Sequence, residues 1–150
     1  MDVSIGKAKA LEDQFPGHPI LTADTVVYKD GRLYQKPATL DEAEQMIRDL
    51  SKGEQQVFTG VSLLHKGTLW TANEESRVEF CELTPKQIRA YVETLKPFDK
   101  SGSYTVQGMG GLIVKRVSGC YYNIVGLPIQ TVRRLLLHVG IDLWDSFHPR

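Results

Sequence analysis

The run His18-Pro19-Ile20-Leu21-Thr22-Ala23-Asp24-Thr25-Val26-Val27-Tyr28 limits what the chain can fold into more than any other stretch. Ile20, Leu21, Val26 and Val27 favour strands and bracket a short polar centre. With so little alternation, the run predicts a strand buried on both faces. Asp30-Gly31 follows, a strong hairpin signal, and Arg32-Leu33-Tyr34 returns as the partner strand. Asp24 is thereby placed inside or at the mouth of a buried sheet, where an ionised carboxylate is costly unless something binds it. The residues alone leave its role open between a carboxylate satisfied by backbone or a lysine, a metal ligand and a general base.

Eighteen basic and eighteen acidic residues cancel. That leaves no electrostatic footprint for duplex nucleic acid, although a local basic pocket for a small anion is still allowed. A chain of 150 residues suits one domain over residues 1–150, able to bury about 68–70% of its unfolded surface. Cys81 and Cys120 are too few for a disulfide framework or a thiolate zinc site and suit a reducing cytosol. No apolar run has the length of a membrane span, and Met1-Asp2-Val3-Ser4 does not read as a secretory signal. The expectation is a soluble cytoplasmic domain with neither nucleic acid nor membrane as partner.

Ile5–Glu12 predicts a short helix with Ser4 as a candidate N-cap, and Phe15–Pro19 is a break. Thr39 and Glu42 have capping-box spacing, with Leu40, Ala43, Met46, Ile47 and Leu50 on one helical face and Gly53 as the expected stop. Residues 56–65 and 75–83 predict strands, and Lys66-Gly67 a turn between β segments. Thr84-Pro85-Lys86-Gln87 opens a second capped helix that Pro97 ends. Residues 110–117 predict another strand, and a last helix opens near Pro128. This order predicts an α/β fold with a mixed sheet.

The richest segment after Asp24 is Phe98-Asp99-Lys100-Ser101-Gly102-Ser103-Tyr104-Thr105-Val106-Gln107-Gly108-Met109-Gly110-Gly111. Its glycines and small hydroxyls let backbone N–H groups approach a ligand closely, as an anion-binding loop requires. Lys100 would supply a point charge to phosphate, and Gln107 would read a base edge with one donor and one acceptor group. The same stretch also reads as a glycine-rich connection with a solvated lysine. It matches neither G-x-x-x-x-G-K-[ST] nor G-x-G-x-x-G. Lys7 and Lys36 are further anion-contact candidates beside the plain reading of surface lysines. Lys36 directly follows the strand that pairs with the Asp24 strand. Ser51 and Ser62 lack a histidine partner at recognisable spacing. His18, His65, His138 and His148 are scattered singly and read as structural or exposed, and Tyr121, Tyr122 and Trp144 read as packing groups.

Together, Lys7-Ala8, Ala23-Asp24-Thr25-Val26-Val27, Lys36-Pro37, Asp99–Tyr104, Gln107-Gly108 and Tyr122-Asn123-Ile124-Val125-Gly126-Leu127-Pro128 resemble the Maf family. These are nucleoside triphosphate pyrophosphatases, also described as septum-formation inhibitors, and the likeness runs through essentially the whole chain in the family's order. It implies a twisted mixed sheet flanked by helices, two lobes with a cleft, and kinship with inosine triphosphatases. It also implies hydrolysis of a nucleoside triphosphate to the monophosphate and pyrophosphate with a divalent cation, magnesium or manganese. In that likeness Asp24 matches the catalytic aspartate, which orients or deprotonates the attacking water, helps hold the metal, or does both. Lys7, Lys36 and Lys100 match basic positions facing the phosphates. Thr25 and Gln107 match the branch acting on dTTP and UTP. A neutral glutamine offers donor and acceptor to a pyrimidine edge, whereas the glutamate of the 7-methyl-GTP branch suits donor-rich guanine.

The family opens with a strand carrying a Ser-x-Arg-Arg motif and acidic residues, which nothing upstream of Lys7 matches, so the resemblance reads as N-terminally truncated. Lysines do not reproduce the forked phosphate contacts of arginine. The expectation is therefore weak or absent pyrophosphatase activity for these 150 residues. The alternative is a catalytically impaired nucleotide-binding protein regulating cell division. Family members are often dimers, which makes a homodimer the expected assembly.

Overall fold

A computed structural model describes residues 2–146; His148 lies outside the described residues. The elements are α1 (Asp2–Glu12), β1 (Ile20–Lys29), β2 (Arg32–Tyr34), α2 (Leu40–Leu50), β3 (Glu54–His65), β4 (Thr68–Phe80), α3 (Pro85–Leu95), β5 (Val114–Gly119), α4 (Tyr121–Val125) and α5 (Ile129–Leu136). The five strands form one sheet in the order β2-β1-β3-β4-β5.

The α/β class holds, but the sheet is antiparallel throughout rather than mixed. Its two hairpins use two-residue turns with both positions left-handed: Asp30 and Gly31 at φ 49° and 82°, Lys66 and Gly67 at φ 49° and 75°. That handedness matches strand twist. Helix α2 returns the chain so that β3 runs in the same direction as β2, as a strand–helix–strand order leads one to expect. β1 lies between those two strands, so the shared direction never becomes a parallel pair.

Several local expectations shift. Helix α1 begins at Asp2, and Ser4 is no cap: its buried Oγ lies 2.8 Å from Ser62 Oγ, and its carbonyl accepts from Thr22 Oγ1 at 2.6 Å. Thr39 caps α2, accepting from Glu42 N at 3.1 Å, while Glu42 Oε2 accepts from Ala38 N rather than from Thr39 N. The helix closes at Ser51, ahead of Gly53, because buried Lys29 donates to the carbonyls of Asp49 and Leu50, both at 3.2 Å. Helix α3 has the full reciprocal capping box. The expected strand at 75–83 is the second half of a longer one, and Gly108–Leu112 form a 3₁₀ turn ahead of β5.

Strand alternation divides the packing. Val27, Val57 and Val78 face α2 and α3, with Ile47, Leu50, Ile88 and Tyr104 in the main core. Val61 and Leu63 pack on Val132 and Leu135 of α5, while Ile20 and Leu64 point to the other face, against Ala8 of α1. Strand β1 is not buried on both faces. Its ends are covered, but residues 21–26 are half-exposed, since β2 pairs only with Val27–Lys29.

The core carries a pH dependence. Burial pushes the phenol of Tyr104 far above its ordinary value of 10.0. Burial also raises Tyr91 and Tyr34. A phenol held neutral by folding contributes stability that is present below the unfolded value and is lost as pH rises beyond it. Lys29 is lowered by burial, so its smaller opposing contribution improves stability as pH approaches 10.5. Melting temperature is expected to fall above about pH 10, with tyrosinate absorbance for Tyr104 appearing only on unfolding. Tyr104→Phe should flatten that alkaline loss; an equally steep loss in the variant would remove Tyr104 as its cause.

Candidate active site

Because β2 covers only the last three residues of β1, the outer edge of β1 ahead of Val27 has no strand partner among the described residues. Its carbonyls are met by side chains instead. Ala23 O accepts from Lys7 Nζ at 3.5 Å, and Thr25 O accepts from Ser101 Oγ at 3.0 Å. Along this edge opens a cleft of about 900 Å³. Its walls include Lys7 on α1, Asp24 and Thr25 on β1, Lys36 after β2, and Lys100 and Gln107 on the segment before β5. All six residues singled out from the sequence therefore line one space.

Asp24 and Thr25 are neighbours with opposite outlooks. Asp24 pairs in register with Gly60, on the α1 face of the sheet, and its Oδ1 accepts from Lys7 Nζ at 2.6 Å. The carboxylate is 27% exposed, and its Oδ2 has no hydrogen-bond partner among the described residues. Thr25 points to the other face, with Oγ1 at 2.8 Å from Thr59 Oγ1. Above it sits the turn that ends α4, where Gly126 at φ 114° carries its backbone so close that a Cβ would lie 3.5 Å from Thr25 Oγ1.

The cations on the far wall are tied together. Lys100 Nζ donates to both oxygens of Asp99, at 3.0 and 2.8 Å. That hydrogen bond, helped by the charge of Lys36, holds the exposed Asp99 carboxyl below its usual range. Gly102 N donates to Gln35 O at 3.1 Å, fastening the Lys100 segment beside the residue that precedes Lys36. Gln107 sits in a stapled turn. Its N–H donates to Thr105 Oγ1 at 3.0 Å, its carbonyl accepts from Gly110 N at 2.9 Å, and Thr105 N donates to the Tyr91 hydroxyl at 3.1 Å.

Sequence reasoning missed the buried support. Asn123 is fully buried and joins α4 to the sheet: its Nδ2 donates to Val57 O at 3.0 Å and Ser76 Oγ at 2.9 Å. Thr59 Oγ1 in turn donates to Asn123 O at 3.0 Å. A polar residue in the apolar stretch Asn123-Ile124-Val125 was the available signal for Asn123; a threonine inside a strand gives none for Thr59. Among the described residues, His138 stacks on Trp70 with centroids 5.5 Å apart, and His18 Nδ1 lies 3.2 Å from Pro16 O.

Comparison with known proteins agrees with this architecture. A family profile described as Maf-like protein matches residues 1–139. The dTTP/UTP pyrophosphatase of Chlamydia caviae is 41% identical over 145 residues, covering 96% of this chain and 74% of that protein. The dTTP/UTP pyrophosphatase of Halalkalibacterium halodurans is 48% identical over 132 residues, covering 87% and 67%. That of Bacillus cereus is 40% identical over 143 residues, covering 95% and 75%. With the profile running from the first residue through the end of the last long helix, the chain belongs to the Maf-like family.

Proposed function

We propose that the chain is a nucleoside triphosphate pyrophosphatase that hydrolyses dTTP and UTP to the monophosphate and pyrophosphate. The observation that carries this reading is the convergence of Asp24, three lysines, Thr25 and Gln107 on one cleft, in a chain whose relatives are named for that reaction. In this reading water adds across the anhydride between the α and β phosphates, and the pyrophosphate departs with the bridging oxygen. Asp24 accepts the proton of that water or orients it, while Lys7 fixes the carboxylate through its other oxygen. Lys36 and Lys100 stabilise charge on the phosphoryl oxygens.

The residues fit a divalent cation that arrives with the nucleotide rather than a resident one. Among the described residues no three His, Cys, Asp or Glu side chains are grouped to hold an ion. Asp24, with one oxygen unpartnered among the described residues, suits magnesium, which keeps its waters and takes one or two carboxylates plus substrate phosphates. The charged cleft residues, Lys7, Lys36 and Lys100 against Asp2, Asp24 and Asp99, cancel and leave phosphate charge to be met by the cation. Magnesium or manganese, when bound, would neutralise that charge and bring water nearer its reactive form. A cytoplasmic location and a homodimeric state belong to the same proposal; no described helix is long and apolar enough to cross a membrane.

The test is product analysis with dTTP and UTP in the presence of magnesium. Monophosphate and pyrophosphate in equal amounts are expected. Orthophosphate with diphosphate would place the cleavage at another bond, and tight nucleotide binding with no release would favour the non-catalytic regulatory reading.

A further inference from the structure

The contacts of Thr25 carry a direction as well as a distance. A hydroxyl owns one proton and can accept, whereas a carbonyl oxygen only accepts. Thr59 Oγ1 touches two oxygens, Thr25 Oγ1 at 2.8 Å and Asn123 O at 3.0 Å. If the Thr59 proton turned toward Thr25, two bare oxygens would face each other at 3.0 Å around a fully buried side chain, and a buried hydrogen bond would be exchanged for repulsion between lone pairs. The Thr59 proton therefore goes to Asn123 O, and Thr25 must give its own proton to Thr59. What Thr25 Oγ1 keeps for the cleft is lone-pair density alone.

Asn123 cannot relax out of this arrangement. Its carbonyl also accepts from Gly126 N at 3.0 Å. Its amide donates to Ser76 Oγ, whose single proton is spent on Cys120 O at 3.0 Å. The protons of Thr59 and Ser76 thus point to carbonyls of α4 and its N-cap, and that of Thr25 points to Thr59.

We propose that Thr59 and Asn123 are positioning residues that make Thr25 an obligate acceptor toward the cleft, so that it selects a nucleobase presenting a ring imide N–H. Thymine and uracil present that donor, and the corresponding nitrogen of cytosine accepts. The inference rests on the dTTP/UTP reading above. Deoxyribose and ribose differ at the 2′ position, so the imide is what dTTP and UTP share and CTP lacks.

Equilibrium binding of the α,β-methylene analogues of UTP and CTP with magnesium reads the preference without turnover. A preference for the UTP analogue of about tenfold or more is expected for one mismatched buried contact, and N3-methylation of the uracil should lose a comparable factor. Thr59→Val removes the proton sink and frees Thr25 to donate, which should bring the ratio toward parity, while Thr59→Ser restores it. A ratio unchanged in Thr59→Val, with only overall affinity lowered, is the signature of a merely structural role and overturns the proposal. So does an N3-methylated analogue that binds wild-type protein as well as its parent, a measurement independent of how the variant folds. A loss confined to 2′-deoxy analogues would assign the donor to the sugar and overturn it too. Absence of all nucleotide binding and of pyrophosphate release would instead sink the pyrophosphatase reading, and this inference with it.

Discussion

Asp24→Asn is expected to reduce pyrophosphate release by about 10²–10⁴-fold, the range that a positioned general base contributes. The substitution keeps the shape of the side chain and removes the charge that faces the cleft. It also removes the charged partner of Lys7, but that contact is half-exposed, with the lysine 50% and the carboxylate 27% accessible. Pairs of this kind contribute at most about 1 kcal/mol, so the melting temperature should change little. Nucleotide binding measured without metal should survive, since Lys7, Lys36 and Lys100 remain and a like charge near the phosphates has gone. Initial rates, thermal melts and binding measured on one preparation check all three statements. Turnover equal to wild type would remove Asp24 from the chemistry, whereas a large fall in melting temperature would show the carboxylate to be structural.

Gly110→Ala is expected to damage both stability and recognition. A Cβ at this position would overlap the carbonyl of Thr105, a backbone group with no rotamer to escape into. The turn over residues 105–110 would have to open, breaking the bond from Gly110 N to Gln107 O and loosening the side chain expected to read the base. Forced overpacking costs about 1–3 kcal/mol, which for a chain of this size lowers the melting temperature by roughly 3–10 °C. Affinity for the UTP analogue should fall with it. Gly111→Ala is the control, since a Cβ there meets nothing within 4 Å. If the two variants melt together and bind alike, the stapled turn has no part in presenting Gln107.

What was legible in the sequence was local or carried by order along the chain. Thr84-Pro85-Lys86-Gln87 encodes its helix start within four residues, and Asp30-Gly31 encodes its turn within two, so both are found where expected. The six cleft residues were legible because the resemblance runs through the chain in order, not because their spacing reveals a shared surface. What escaped depends on partners far away in sequence. Ser4 looks like a cap until Ser62 is brought beside it, and Gly53 looks like a helix stop until Lys29 reaches the last carbonyls of α2. The apolar run around Asp24 predicted full burial, because residue type reports what a strand tolerates; the shortness of β2 decides what covers it. Thr59 is silent for a similar reason: its meaning lies in which oxygen its proton faces.

Because successive residues of a strand point to opposite sides of a sheet, a one-residue step along β1 separates the carboxylate from the hydroxyl by the thickness of the backbone. Asp24 answers to α1, and Thr25 to β3 and α4. Changes among Thr25, Thr59 and the α4 turn can accordingly retune which base is admitted without disturbing the Lys7–Asp24 pair on the other side. A lineage built on this strand can wander in substrate while keeping its reaction.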